Sequence, residues 1–163
     1  MRSGFTTALL VTTMMTAQAE SAEEKPSPAE IEAVKTCLAG IQKDRSYRDC
    51  VGKGVEVCLN QDEGLAVFDC QIRETAIWDG FLNDHYQKLQ KGLPPKIFAR
   101  LRVVQRAWIT YCDAKCTFDN VWSYGDTWKL KQEHGCRLVE TALRASELEA
   151  LHDWLVQHGG LSK

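Results

Sequence analysis

The chain has 163 residues, with 20 lysines and arginines against 22 aspartates and glutamates and a net charge of −2. So mild an acidity argues against the basic face that nucleic-acid binding calls for, and no apolar run reaches the ~20 residues of a membrane-spanning helix. About 140 residues, the length left once an export signal is removed, suit one domain burying roughly 68–70% of its unfolded surface.

Arg2 and the short apolar run Phe5–Met15, closed by Ala17-Gln18-Ala19, have the layout of a signal peptide cleaved after Ala19. Cleavage removes one charge and leaves 19 basic against 22 acidic side chains. The expected location is the periplasm or the exterior. Residues 20–27 form a polar leader, and residues 28–158 the single domain. Ser27 before Pro28 reads as a helix start, and Ile31, Val34, Cys37, Leu38 and Ile41 recur at helical steps, predicting a helix over 28–43. Ser46 can cap a second, shorter helix carrying Val51, Val55, Val57, Cys58 and Leu59.

From Gly64 to Lys91 the chain has no proline and no turn cluster, and Leu65, Phe68, Ile72, Leu82, Tyr86 and Leu89 follow one stripe. A long helix is expected there, broken by Gly92-Leu93-Pro94-Pro95. A fourth is expected over 96–116, with Ile97, Leu101, Val104, Trp108 and Tyr111 as its inner seam. Residues 117–130 have no clear period and read as an aromatic loop. The last helix is expected from Gln132 or Cys136 to Gln157, with Leu138, Ala142, Ala145, Leu148, Leu151 and Leu155 inward. The fold class is all-α: a disulfide-stapled bundle of about five helices.

All seven cysteines, at 37, 50, 58, 70, 112, 116 and 136, lie beyond the signal segment. In an oxidising compartment they read as a disulfide framework with one thiol left over, and spacing alone does not fix the pairs.

Three stretches are more specific. Residues 70–89 hold Cys70, Glu74, Trp78-Asp79, Leu82-Asn83 and Tyr86. Residues 101–116 hold Gln105-Arg106-Ala107-Trp108 and Cys116. Residues 136–148 hold Cys136, Thr141, Arg144 and Leu148. Over roughly residues 37–151 they resemble the lysozyme-inhibitor LprI-like domain, a bacterial envelope family. The resemblance implies a helical, cysteine-bridged, exported protein that is not an enzyme, needs no cofactor and binds a lysozyme or another cell-wall hydrolase. It also implies the pairs Cys37–Cys50, Cys58–Cys70 and Cys116–Cys136. The chain departs from the family at Cys112, where an arginine is usual, and at Tyr124-Gly125-Asp126, where the family is richer in glycine.

Competing chemistries are weighed against these residues. A glycosidase needs two carboxylates facing across a cleft, whereas Glu74 and Asp79 are five apart on one helix and point to different faces. Cys112, Cys116, His134 and Cys136 do not have a strong zinc spacing. A redox role for Cys112 needs a thiolate-lowering environment. Trp108 reads as a core anchor with Asp79 or Asn83 as the acceptor for its indole N–H, and Gln105 with Asn83 as an inter-helix lock.

For binding, the candidate interface is Phe118, Asp119, Trp122, Tyr124, Asp126 and Trp128. These form an aromatic and acidic surface suited to a basic enzyme's sugar cleft. The alternative is that Phe118, Trp122 and Trp128 fold inward, with at least two of the aromatics in the core. The leading expectation is steric blockade of a cell-wall hydrolase. Its rivals are an envelope module binding peptidoglycan or an endogenous envelope protein, and a thiol-redox protein.

Overall fold

The computed structural model describes residues 25–41, 47–61, 66–119 and 125–161. The expected signal peptide and most of the leader, Ser46, Gly64, Leu65, Trp122, Tyr124 and the side chain of Asp119 lie outside the described residues. Five α-helices follow in order: α1 (Pro28–Ala39), α2 (Lys53–Gln61), α3 (Val67–Gly92), α4 (Pro95–Asp119) and α5 (Asp126–Gln157), with a 3₁₀ turn at Tyr47–Cys50 before α2. The protein is an all-α, disulfide-stapled bundle.

Local chemistry sets the helix ends. Ser27 caps α1, its hydroxyl accepting the Glu30 N–H at 3.3 Å, and Pro28 occupies the first turn, where no N–H is needed. That helix stops at Ala39 before Gly40, four residues short of the expected end. Gly52 takes φ +97° between the 3₁₀ turn and α2, a conformation that favours glycine. The Asp69 carboxylate accepts the Ala66 N–H at the start of α3.

The long helices α3 and α5 form the main interface and run parallel, since Phe68 meets His134 at one end and His85 meets Glu149 nearer the other. Helix α4 runs antiparallel to α5, with Gln105 opposite Arg144 and Asp113 opposite Arg137. Its packing on α3 is sparse and includes Tyr86 against Phe98. Val34, Ile77, Trp78, Leu82, Leu89, Leu138, Ala142, Ala145 and Leu148 fill the core.

Three disulfides join Cys37 to Cys50, Cys58 to Cys70, and Cys116 to Cys136, and Cys112 is the free, buried cysteine. The first holds α1 to the 3₁₀ turn, the second ties α2 to α3, and the third ties α4 to α5.

Two expectations are corrected. The inner face of α4 is only part of the predicted seam: Leu101 and Trp108 pack against the core, but Ile97, Val104 and Tyr111 are about half exposed, while Gln105, Cys112 and Cys116 are buried with Phe98 beside them. The cause is α5, which presents Arg144 and Cys136 to α4 and so selects a polar and sulfur-bearing stripe over the greasier one. Helix α5 also begins at Asp126, not at Gln132 or Cys136, and α4 continues to Asp119. The expected loop of 117–130 is therefore helical at both ends.

Candidate functional site

The carboxylate of Glu74 is fully buried and accepts three hydrogen bonds: from the Gly52 N–H at 2.8 Å, the Val55 N–H at 2.7 Å and the Trp78 indole at 3.0 Å. The first two donors belong to the start of α2, where unpaired N–H groups and the helix dipole favour an anion. Gly54 lets the carboxylate in, because a Cβ there would stand 3.1 Å from it. With all its partners supplied by the fold, Glu74 is a structural clamp and has no geometry for acid–base work. Asp79, the other acid considered for hydrolysis, is exposed on the opposite side of α3.

Other buried charges are paired. Glu30 accepts from Arg73 Nε at 3.2 Å, and Lys115 donates to Glu140. Arg144 donates from Nε to Gln105 Oε1 at 2.9 Å and from Nη1 to Glu147 at 2.7 Å, while its Nη2 is buried with no partner among the described residues. The inter-helix lock expected between Gln105 and Asn83 takes other partners: Asn83 instead donates to Asp79 at 2.8 Å within α3.

Where α3 and α4 diverge, a groove opens on the surface. One hollow, of about 310 Å³, is lined by Asp79, Leu82, Asn83 and Tyr86 of α3 and by Arg102, Gln105, Arg106, Trp108 and Ile109 of α4. A smaller hollow of about 170 Å³ shares Trp108 and Ile109 with it and has Cys112, Thr141 and Arg137 in its walls. A third, about 540 Å³, shares Asp79 with the first and Thr75 and Arg137 with the second, and reaches His134 and Lys25. The first two form a trough between α3 and α4, and the third adjoins it between α3 and α5.

Beyond the α3 end marked by Phe68 and His134, the first two turns of α5 project by about 10 Å at 1.5 Å per residue. Residues 125–130 are all exposed. Trp128 is 48% exposed, with the Lys131 ammonium 4.8 Å from its ring, and Phe118 at the end of α4 is 58% exposed. Neither described aromatic has folded into the core. Asp126 is fully exposed and pairs with Lys129 at 3.8 Å, so acidic and basic groups are balanced there. The Cys116–Cys136 bridge braces the base of this tip.

Residues 58–148 match the family lysozyme inhibitor LprI. The chain belongs to that family. No curated protein and no solved structure matches the chain. The positions that carry the LprI resemblance divide into two sets. Glu74, Trp78, Thr141 and Arg144 are buried and hold helices together, whereas Asp79, Leu82, Asn83, Tyr86, Gln105, Arg106 and Trp108 surround a single hollow. Trp108, expected as a core anchor, is half-buried in the wall of that hollow and is also part of the smaller one.

The sequence reading missed the Glu74 clamp, the Glu30–Arg73 pair and the trough. The first had a signal in the two glycines around the start of α2, Gly52 and Gly54, but the partner lies nineteen to twenty-two residues away. The metal reading loses two ligands, because Cys116 and Cys136 bond each other. The redox reading fails on environment: burial pushes the Cys112 thiol above its ordinary pKa, which works against a thiolate.

Proposed function

We infer that the protein is an exported binding protein that inhibits a lysozyme or another cell-wall hydrolase by steric blockade, with the α4–α5 tip entering the enzyme's sugar cleft. The observation that carries this reading is the tip itself: exposed aromatics on two helix ends, projecting past the bundle and braced by a disulfide. Held rigidly, such groups offer contact area at low entropic cost on binding. Membership in a family described as lysozyme inhibitors supplies the class of partner. Since Asp126 is matched by Lys129 and Lys131, shape and apolar contact dominate over net charge, which modifies the acidic plug expected from sequence. The reading includes cleavage after Ala19 and delivery to the periplasm or exterior. No helix among the described residues is long and apolar enough to cross a membrane.

The test is inhibition of hydrolysis of a soluble oligosaccharide substrate by the purified mature protein, across several lysozyme classes. Near-stoichiometric inhibition is expected. Replacing Phe118 and Trp128 together by alanine should weaken it at least ~10-fold, the loss of one or two good anchors at more than ~1.4 kcal/mol. Stability should change little, since exposed positions usually stay within ~0.5 kcal/mol. No inhibition at micromolar excess of the unaltered protein would sink this reading.

A further inference from the structure

We propose that the trough between α3 and α4 binds cell-wall glycan from which stem peptides have been cleaved, through an N-acetylated amino sugar whose lactyl carboxylate is thereby freed, at a site separate from the inhibitory tip. It shares only the compartment with the reading above, so either can fail alone. The argument starts from what the hollow around Trp108 leaves unused. Arg102 and Arg106 are exposed on its α4 rim, and neither has an ion-pair partner among the described residues. Two unpaired guanidinium forks on one wall favour a carboxylate, which they can take bidentately.

The opposite rim has the complementary chemistry. Asn83 spends its amide N–H on Asp79, which leaves the Asn83 carbonyl and the second Asp79 oxygen as acceptors for hydroxyl or amide hydrogens. Gln105 spends its carbonyl on Arg144 and so retains its amide donors, held in place by a buried arginine. Between the rims stand the half-buried rings of Trp108 and Tyr86 with Leu82 below, an apolar floor for the faces of pyranose rings. Donors, acceptors and an aromatic platform within about 310 Å³ fit a sugar better than a helix or a folded protein surface, either of which would ask for a longer continuous apolar face.

Length points the same way. From Thr75 to Tyr86 the two hollows between α3 and α4 follow α3 for about 16 Å at 1.5 Å per residue. That is a path for an extended chain and not a pit for one small molecule. An occupant of this kind would hold the protein on the polymer its target attacks.

The experiment is co-sedimentation of the mature protein with insoluble peptidoglycan partly stripped of its stem peptides by an amidase, the amidase then removed and every other hydrolase absent. Retention is expected, and it should fall at least tenfold for the double variant Arg102→Glu, Arg106→Glu. Arg100→Glu is the control, an exposed arginine of α4 absent from the trough walls, and should leave retention unchanged; equal losses would mean general electrostatics and overturn the proposal. An amidase hydrolyses the amide that joins each lactyl carboxyl to its stem peptide and so frees the carboxylate, and untreated peptidoglycan, whose lactyl groups are amides, should retain at least tenfold less. Equal retention on the untreated polymer would place recognition elsewhere than the lactyl carboxylate and overturn the proposal. Soluble stripped fragments should compete, while neutral N-acetylglucosamine oligomers should compete at least tenfold less well. Trp108→Phe tests the platform if Trp108→Ala is poorly folded by circular dichroism. Failure of the unaltered protein to sediment, or full retention by the double arginine variant, refutes the site. Substitution of Phe118 and Trp128 should leave sedimentation intact, which separates this result from the inhibition assay.

Discussion

Around the first half of α3, a buried carboxylate, two disulfides and a fully buried indole lock α1, the 3₁₀ turn, α2 and α3 together. Along α4, by contrast, Ile97, Val104 and Tyr111 stand half exposed while a glutamine and two sulfurs occupy inner positions. The first region uses polar chemistry to fix one arrangement. The second leaves apolar and cationic groups unspent on its surface, where they are available to partners. The two regions therefore differ in what a substitution should do: stability is lost at the first, and binding at the second.

The sharpest way to break that contrast is Glu74→Ala. It would remove the acceptor of the part-buried N–H groups of Gly52 and Val55 and of the buried Trp78 indole, and unsatisfied buried donors cost ~1–3 kcal/mol each. A loss of at least ~3 kcal/mol is expected in urea denaturation, a large share of the ~5–15 kcal/mol that domains have. Glu74→Gln should cost less, because one acceptor oxygen remains. A loss under ~1 kcal/mol for the alanine variant would show that the clamp is incidental.

The disulfides sharpen the contrast further. Cys58–Cys70 spans 12 residues and Cys116–Cys136 spans 20, so in the chain-entropy picture each contributes ~3 kcal/mol. Replacing either pair with serines should therefore lower stability by similar amounts, ~2–5 kcal/mol. Function should separate them. At a temperature where both variants are folded, loss of the Cys116–Cys136 bridge loosens the tip and should weaken hydrolase inhibition, whereas loss of Cys58–Cys70 should not. Equal inhibition by both variants would mean that the braced tip is not the inhibitory surface.

Helix periodicity shows how far the sequence was readable. The bundle and its long helices follow from stripes at three- and four-residue steps, and α3 and α5 are largely where those stripes place them. In α4 two stripes run side by side at the same spacing of seven: Ile97, Val104, Tyr111 and, one residue on, Phe98, Gln105, Cys112. Hydrophobicity favours the first as the inner face, but the partner helix chose the second. Nothing local could reveal that Arg144, thirty-nine residues after Gln105, would demand an acceptor there. The same limit hid the trough. Its residues are visible as family-like positions on two helices, but their meeting around one hollow depends on where α3 and α4 part.

The smallest expected effect is a pH dependence, and it belongs to the junction between the two regions. His134 stacks on Phe68 at the base of the tip, and burial holds its pKa below the ordinary 6.5. Glu133 and Asp69 act to raise it and Arg137 to lower it. His85, farther along the α3–α5 interface, is also lowered, first by burial and then by Lys88, against Asp84 and Asp153. A histidine whose folded pKa is depressed takes its proton more readily when unfolded. Stability should therefore fall as pH drops through about 6.5 and level off below the folded pKa values. Glu149, raised by burial above 4.5, works in the opposite sense and favours the folded state on acidification. Thermal unfolding between pH 7.5 and 5.5 should show Tm decreasing by a few degrees, and His134→Gln should flatten the slope. A Tm that rises through that window would mean that the base of the tip gains charge without cost, and that Phe68 and His134 do not pack as a neutral pair.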